Sequence, residues 1–223
     1  MSDDDRRVLS GTEVEERRPE EWRQLLGRLC ARFRTADFAA GLALVNRIGT
    51  VAEAADHHPG VDLRYGHVDV RLRSHDVGGV TSRDLRLAAE ISGLAADAGA
   101  VAEPGGLEII ELGLDTWDAA ELRPFWAAVL GYGDAAADDL VDPTGLNPSV
   151  WFQDTEPHAT PPQRWHLDVW VPPEEVEGRI AAALAAGGTL ADQSAAPSFW
   201  VLADPQGNRV CLCTWQDRGD PAA

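Results

Sequence analysis

The second half of the chain repeats one order of predicted elements, and this repeat limits its fold more than any other feature. A strand-like segment at 107–115 precedes a helical segment at 118–131, and a strand follows at 148–154. The same order then returns, and aligning 112–115 with 167–170 places the two copies 55 positions apart. A repeat of this kind is typical of a supersecondary unit that packs against its own copy. The sequence therefore predicts two paired βαβββ modules in this half.

The first half has a different order of helices and strand pairs. The predicted elements are a short charged helix at 12–21, a hairpin at 22–35, a helix from 37 to 56, a strand pair at 61–75 and a helix at 84–99. Within the strand at 67–75, apolar and polar residues alternate, which indicates one buried and one wet face. The sequence therefore predicts an α+β fold in which one antiparallel sheet carries helices on one face.

The helix at 37–56 has apolar residues spaced by three and four positions, which predicts one buried side. The residues assigned to that side are Phe38, Leu42, Val45, Ile48 (or Gly49) and Ala52. Asp37 is the expected cap, and Pro59 is expected to end the helix.

Charge is distributed unevenly along the chain. All 19 basic residues are arginine, against 37 Asp and Glu, and the formal net charge is −18. Residues 1–103 carry a net charge of −4 and residues 104–223 carry −14. Because the sequence EPGG interrupts the chain at this point, we predict two domains with these bounds. Such an acidic surface repels polyanions, which argues against nucleic acid and anionic membranes as partners.

The sequence shows no feature of an exported or membrane protein. No segment approaches the roughly 18 consecutive apolar residues of a membrane helix, and the acidic N-terminal segment lacks the apolar core of a secretory signal. Cys30, Cys211 and Cys213 are too few and too irregularly spaced for a disulfide framework or a zinc knuckle. We therefore expect a cytoplasmic protein with reduced thiols.

Four of the six histidines lie close together in the first half. His57 and His58 stand at the end of the predicted helix, Glu53 lies one helical turn before His57, and His75 precedes a glycine turn. Histidines beside carboxylates can transfer protons near neutral pH. The alternatives are surface histidines favoured by the helix dipole, or a metal site for which a third spaced ligand is missing.

The segment 53–88, EAADHHPGVDLRYGHVDVRLRSHDVGGVTSRDLRLA, resembles the signature of the pterin-4a-carbinolamine dehydratases. An acid precedes His-His-Pro, an aromatic residue follows at Tyr65, a Ser-His pair stands at 74–75, and Asp84 lies in the closing helix. The resemblance extends upstream through WRQLLGRLCARFRTADF and covers approximately residues 8–99.

This resemblance implies that the first domain removes water from a 4a-hydroxytetrahydropterin, giving a quinonoid dihydropterin, without a metal or an organic cofactor. It implies that His57, His58 and His75 line the pocket, with His57 and His75 as the acid–base pair and His58 orienting the substrate. The other implied site residues, which would orient imidazoles or bind the pterin, are Glu53, Asp84 and Tyr65. The family also implies a homo-oligomer, either a dimer or a tetramer.

Residues 107–216 resemble the vicinal oxygen chelate superfamily in its glyoxalase-like branch, through LGLDTWDAAELRPFWAAVLGY, WHLDVWVP and VLADPQGNRVCL. In metal-dependent members of that superfamily, four ligands come from corresponding strands of the two modules. The positions that correspond here are Glu111, His166, Cys211 and either Trp151 or Gln153. Since tryptophan is not a metal ligand, we predict no metal, with Glu111 and His166 as the candidates if one is bound.

The second domain is therefore expected to be an accessory module, whose tryptophans would stack a planar ring. Two alternatives stay open. One is a metal-dependent lyase, isomerase or dioxygenase in this domain. The other is a non-enzymatic interaction protein built on the dehydratase fold.

Overall fold

The computed structural model describes residues 3–104, 107, 109, 111–134, 139–154, 167–171, 176–213 and 216–217. The chain forms two compact units, residues 1–109 and 110–223, and both have the predicted α+β composition. The domain boundary between residues 103 and 104 stays a prediction. Among the described residues, none of the helices combines the length and apolar character needed to cross a membrane.

The first unit contains one antiparallel sheet and three helices, preceded by a 3-10 turn at Asp3–Arg6. Its elements are α1 (Gly11–Arg17), β1 (Arg23–Leu25), β2 (Arg28–Arg34), α2 (Phe38–Ala55), β3 (Gly60–Arg64), β4 (His67–Leu72), α3 (Ser82–Asp97) and β5 (Val101–Ala102). The strand order is β1-β2-β4-β3, and β5 also pairs with β2. The predicted order of helix, hairpin, helix, strand pair and helix is confirmed.

The two central strands separate an apolar face from a polar face. Their inward-facing pairs are Leu29 with Leu72, Ala31 with Val70, and Phe33 with Val68. All six residues are buried in one core with apolar residues of α2 and α3. The other side of the sheet, which we call the outer face, carries Cys30, Arg32, Asp69 and Arg71, the residues that alternate with the core residues.

Helix α2 buries only part of the side that was predicted, since Ile48 and Ala52 are buried and Val45 packs against the core as expected. Its buried residues are Gly41, Leu44, Ile48 and Ala52. Phe38 and Leu42, which were predicted to be buried, are 47% and 45% exposed. At Gly41 a Cβ atom would lie only 2.7 Å from Cδ1 of Leu63, so glycine allows the helix to approach strand β3 closely. The prediction failed in the first half of the helix because α2 has apolar residues on two sides there, and the spacing of three and four fits both.

The second unit contains two modules with the same connectivity. Its elements are β6 (Glu111–Thr116), α4 (Ala119–Leu130), β7 (Gly133–Asp134), β8 (Leu140–Val141), β9 (Ser149–Asp154), β10 (Leu167–Trp170), α5 (Val176–Ala185), β11 (Thr189–Asp192), β12 (Phe199–Ala203) and β13 (Arg209–Cys213). One sheet has the order β6-β9-β8-β7 and the other β10-β13-β12-β11. In each, the first strand pairs in parallel with the last. The predicted pair of βαβββ modules is confirmed.

A buried hydrogen-bond network connects the two modules. Asp204, in the turn between β12 and β13, accepts a hydrogen bond from Nε1 of Trp126 in α4 at 3.0 Å. Gln206 of the same turn donates to Oγ1 of Thr116 at 2.9 Å. The turn Asp-Pro-Gln-Gly-Asn therefore stabilises the packing of one module on the other, because Asp204 and Gln206 each hydrogen bond to a residue of the first module.

Candidate active site

The end of helix α2 turns the chain so that His57 faces the interior. The helix ends at Ala55, and Asp56 adopts a left-handed conformation with φ of 49°. The amide of His57 then donates to the carbonyl oxygen of Ala52 at 3.1 Å, a bond typical of helix ends with a left-handed residue. His57 is only 7% exposed as a result.

The start of helix α3 holds Asp84 in a capping box. The amide of Thr81 donates to Oδ2 of Asp84 at 2.7 Å, and the Thr81 side chain accepts from the amide of Arg83 at 3.1 Å. A carboxylate in the first turn of a helix is also favoured by the helix dipole. Asp84 is therefore fixed in position, although it is fully buried.

Asp84 connects three separate elements of the fold. Its Oδ1 atom lies 2.8 Å from Nε2 of His57, and its Oδ2 atom accepts a hydrogen bond from Oγ of Ser74 at 2.8 Å. Ser74 follows strand β4 and directly precedes His75. One buried carboxylate therefore joins the end of α2, the end of β4 and the beginning of α3.

The environment of Asp84 determines which nitrogen of His57 can react. Burial alone raises the pKa of Asp84, but the hydrogen bonds from His57, Thr81 and Ser74 outweigh burial and lower the pKa below its ordinary value. The carboxylate is therefore ionised at neutral pH and can only accept hydrogen bonds. His57 must then carry a proton on Nε2, which leaves Nδ1 free to exchange a proton with another molecule.

His58 lies beside the buried pair in sequence but is in contact with solvent. Its Nε2 atom is 3.2 Å from Oε2 of Glu53, and its side chain is 59% exposed. The adjacent histidines thus have different environments, each with its own carboxylate.

His75 is exposed in the turn at 75–78 that follows β4. The turn is closed by hydrogen bonds from the Ser74 amide to Gly79 at 3.0 Å and from the Gly78 amide to Ser74 at 2.9 Å. His75 is therefore one residue away from a hydrogen-bond partner of Asp84. Tyr65, in the turn between β3 and β4, is 78% exposed, and none of the described hydrogen bonds connects it to a histidine.

Two family models match the chain. The pterin 4 alpha carbinolamine dehydratase model matches residues 7–94, and the glyoxalase-like domain model matches residues 111–213. A protein of Chloroflexus aurantiacus that carries the provisional name pterin-4-alpha-carbinolamine dehydratase is 42% identical over 86 residues, which are 37% of this chain and 91% of that protein. The chain belongs to the pterin-4-alpha-carbinolamine dehydratase family. The matched part contains the whole set of residues around Asp84.

Solved structures resemble each part of this dehydratase-family chain. A transcriptional coactivator/pterin dehydratase from Brucella melitensis is 28% identical, with a TM-score of 0.39, and the match covers 40% of this chain and 99% of the other. A glyoxalase/bleomycin resistance protein from Albidiferax ferrireducens T118 is 22% identical, also with a TM-score of 0.39, and the match covers 47% and 95% of the two chains.

The glyoxalase-like unit does not present a metal site in its described part. The described residues contain no group of three or more His, Cys, Asp or Glu side chains that could hold a metal ion. At the other candidate positions, Cys211 is half-buried, and Trp151 has no metal-binding atom. The side chain of Glu111 and all of His166 lie outside the described residues, so these two candidates stay predictions.

Ser74 and Thr81 also belong to the site of this dehydratase-family chain, although the sequence motif predicted no role for either. Both side chains hydrogen bond to Oδ2 of Asp84, at 2.8 and 3.2 Å. A signal was present, because Thr-Ser-Arg-Asp at 81–84 has the spacing of a capping box. Ser74 is part of the Ser-His pair in the motif, but its contact with Asp84 has no local signal, since the two residues are ten positions apart and on different elements.

Proposed function

We propose that the first unit converts a 4a-hydroxytetrahydropterin into a quinonoid dihydropterin and water. The observation that carries this proposal is the buried pair formed by His57 and the ionised carboxylate of Asp84, in a chain of this family. The glyoxalase-like unit is proposed to be an accessory ligand-binding module.

The reaction needs one proton donor and one proton acceptor. The bond between C4a and its hydroxyl oxygen breaks, and an acid delivers a proton to that oxygen, so that water leaves. A base removes the proton from N5, and the electron pair of the N–H bond forms the double bond between N5 and C4a. Protons and electrons balance, and the ring nitrogen provides the electrons for the elimination.

The environments of the histidines suit them to different steps. His57 is proposed to be the base, because the anionic carboxylate of Asp84 stabilises the imidazolium that forms when Nδ1 takes a proton. His75 is proposed to be the acid, since its exposed imidazole can regain a proton from water. His58, held by Glu53 on the surface, is proposed to orient the substrate.

Asp84 is proposed to be a positioning residue that does not touch the pterin. It is fully buried, and both its oxygens already accept hydrogen bonds from the protein. Tyr65 is proposed to contact the substrate, because a large aromatic side chain with so much exposed surface is available for stacking on a planar ring.

The test is the decay of enzymatically generated 4a-carbinolamine, followed by stopped-flow absorbance. His57→Ala and His75→Ala are each expected to lower kcat/KM by about 10²–10⁴-fold, the usual contribution of an acid or base. His67→Ala is the matched control, because His67 is half-buried on the outer face, 4.0 Å from Asp69. Equal rates for the wild type and the His57 and His75 variants would reject the proposal.

The accessory role of the second unit has one supporting observation. The exposed ring of Trp151 lies over Gly113, where a Cβ atom would be 3.2 Å from the indole. An indole in this position offers a flat surface to a planar ligand. Metal analysis of the purified protein tests the alternative of a metal-dependent enzyme, for which bound metal and metal-dependent turnover would be required.

We also propose that the chain forms a homo-oligomer and acts in the cytoplasm. The homo-oligomer is supported by Phe38 and Leu42, which lie one helical turn apart on the solvent side of α2. Exposed apolar patches are common at contacts between subunits.

A further inference from the structure

Three arginines lie at one corner of the outer face of the first sheet. Arg71 of β4 pairs with Cys30 of β2. Leu29 of β2 pairs with Leu72 of β4. Arg28 directly precedes Leu29, and Arg73 directly follows Leu72. Because alternate residues of a strand share a face, the three arginines and Cys30 project from the same side of the sheet.

These arginines differ from the others on the same face. Arg32, Arg34 and Arg64 each form an ion pair with a carboxylate. In the part of the chain that the structure describes, the side chains of Arg28 and Arg71 have no hydrogen-bond or ion-pair partner, and the side chain of Arg73 donates only to the carbonyl oxygen of Gly78, at 2.7 Å. The chain has almost twice as many acidic as basic residues, so this grouping does not reflect a shortage of carboxylates.

The grouping costs stability. All three arginines are half-buried, and the Nε atom of Arg73 is buried with no hydrogen-bond partner among the described residues. Burial lowers the pKa of Arg73, and the nearby charge of Arg28 lowers it further. Burial also raises the pKa of the Cys30 thiol, which is therefore neutral and provides no counter-charge. Crowded positive charges with unsatisfied donors are unfavourable for folding and typical of a binding site.

A small cleft opens beside these arginines. It has a volume of about 170 Å³, and its walls include Cys30 and Arg71 together with the apolar side chains of Leu25, Leu107 and Ile109. Asp69 also lines the cleft, but its two oxygens are occupied by Arg32 at 2.7 and 2.6 Å. The cleft therefore has a mostly polar lining with a small apolar wall, and Arg71 is the lining charge that no described carboxylate neutralises.

We propose that Arg28, Arg71 and Arg73 bind the phosphate group of a small organic phosphate, whose apolar part occupies the cleft. A phosphate monoester carries a charge of about −1.5 to −2 at neutral pH and has three acceptor oxygens, which suits several guanidinium groups. A carboxylate has one charge and two oxygens, and one arginine satisfies it. This proposal does not depend on the proposed dehydratase activity.

The experiment is titration calorimetry of the full chain with phenyl phosphate, inorganic phosphate and benzoate at constant ionic strength. Phenyl phosphate is expected to bind most tightly, because it engages both the arginines and the apolar wall. Arg28→Gln and Arg71→Gln are each expected to weaken its binding by about tenfold or more, since each removes a charge-assisted contact. Arg64→Gln is the matched control, because it removes the same charge from the same face, and it is expected to leave the affinity unchanged.

Thermal unfolding without ligand provides a second measurement. Arg28→Gln and Arg71→Gln are expected to maintain or raise Tm, because they remove unpaired charge. A lower Tm in both would indicate a structural role and overturn the proposal. Failure of phenyl phosphate to bind, or an equal loss of affinity in Arg64→Gln, would also overturn it. Benzoate binding as tightly as phenyl phosphate would refute the assignment of phosphate.

Discussion

Replacing Asp84 by asparagine isolates the role of its charge, because the two side chains have nearly the same shape. The amide oxygen can still accept from the Thr81 amide and from Ser74, which lie 2.7 and 2.8 Å from Oδ2. The amide nitrogen then faces Nε2 of His57, where it can only donate. His57 must give up its proton at Nε2 and carry one on Nδ1, which removes the free base.

The expected losses of stability and of turnover in Asp84→Asn can be estimated from these contacts. The hydrogen bond between His57 and Asp84 is lost as a charge-assisted interaction, which costs the folded state about 1.5–3 kcal/mol. Turnover is expected to fall by about 10²–10⁴-fold, the contribution of a correctly protonated base. The same exchange in catalytic triads lowers kcat by about 10⁴-fold for the same reason, namely a wrong tautomer. KM is expected to change little, because Asp84 is buried away from the substrate.

Two assays check this reasoning. Stopped-flow decay of the 4a-carbinolamine measures kcat and KM, and nitrogen-15 NMR of the histidine rings reports which nitrogen of His57 is protonated. Asp204→Asn is the control, because Asp204 is a buried, multiply hydrogen-bonded carboxylate in the other unit. Wild-type turnover in Asp84→Asn, or an unchanged His57 tautomer, would show that the carboxylate does not act through the imidazole.

Three further predictions concern stability and assembly. Gly41→Ala is expected to destabilise the first unit by about 1–3 kcal/mol, because the added Cβ would overlap the side chain of Leu63 in β3. Gly49→Ala on the same helix should be neutral or stabilising, because the space around Gly49 is open. Urea unfolding of both variants measures the difference. The pKa of Asp84 is lowered in the folded state, so its stabilisation is complete above about pH 4 and is lost as the pH falls through the folded-state pKa. The free energy of unfolding should therefore fall less steeply with acid in Asp84→Asn than in the wild type, and parallel curves would contradict the assignment. Leu42→Glu is expected to reduce the oligomer to smaller species in light scattering, and an unchanged mass would exclude this side of α2 as the contact.

Sequence alone determined the order of elements in both units, because periodicity and turn residues are local signals. The cap at Asp37 and the duplicated modules follow from neighbouring residues, and the structure confirms both. The alternation at 67–72 correctly assigns Val68, Val70 and Leu72 to the core, but the other face is not fully exposed, because Asp69 is buried. The motif around His57, His58 and Asp84 was equally visible, since its residues stand at set distances along the chain.

Only the tertiary structure decided which residues are buried in the first half of α2 and which histidine is paired with Asp84. Leu42 and Leu44 are equally apolar, yet Leu44 enters the core, on the side of α2 where Gly41 approaches strand β3. His57 and His58 are adjacent in sequence, yet the reversal of the chain at Asp56 buries one and exposes the other. Such outcomes depend on contacts between segments distant in sequence, which no local pattern records.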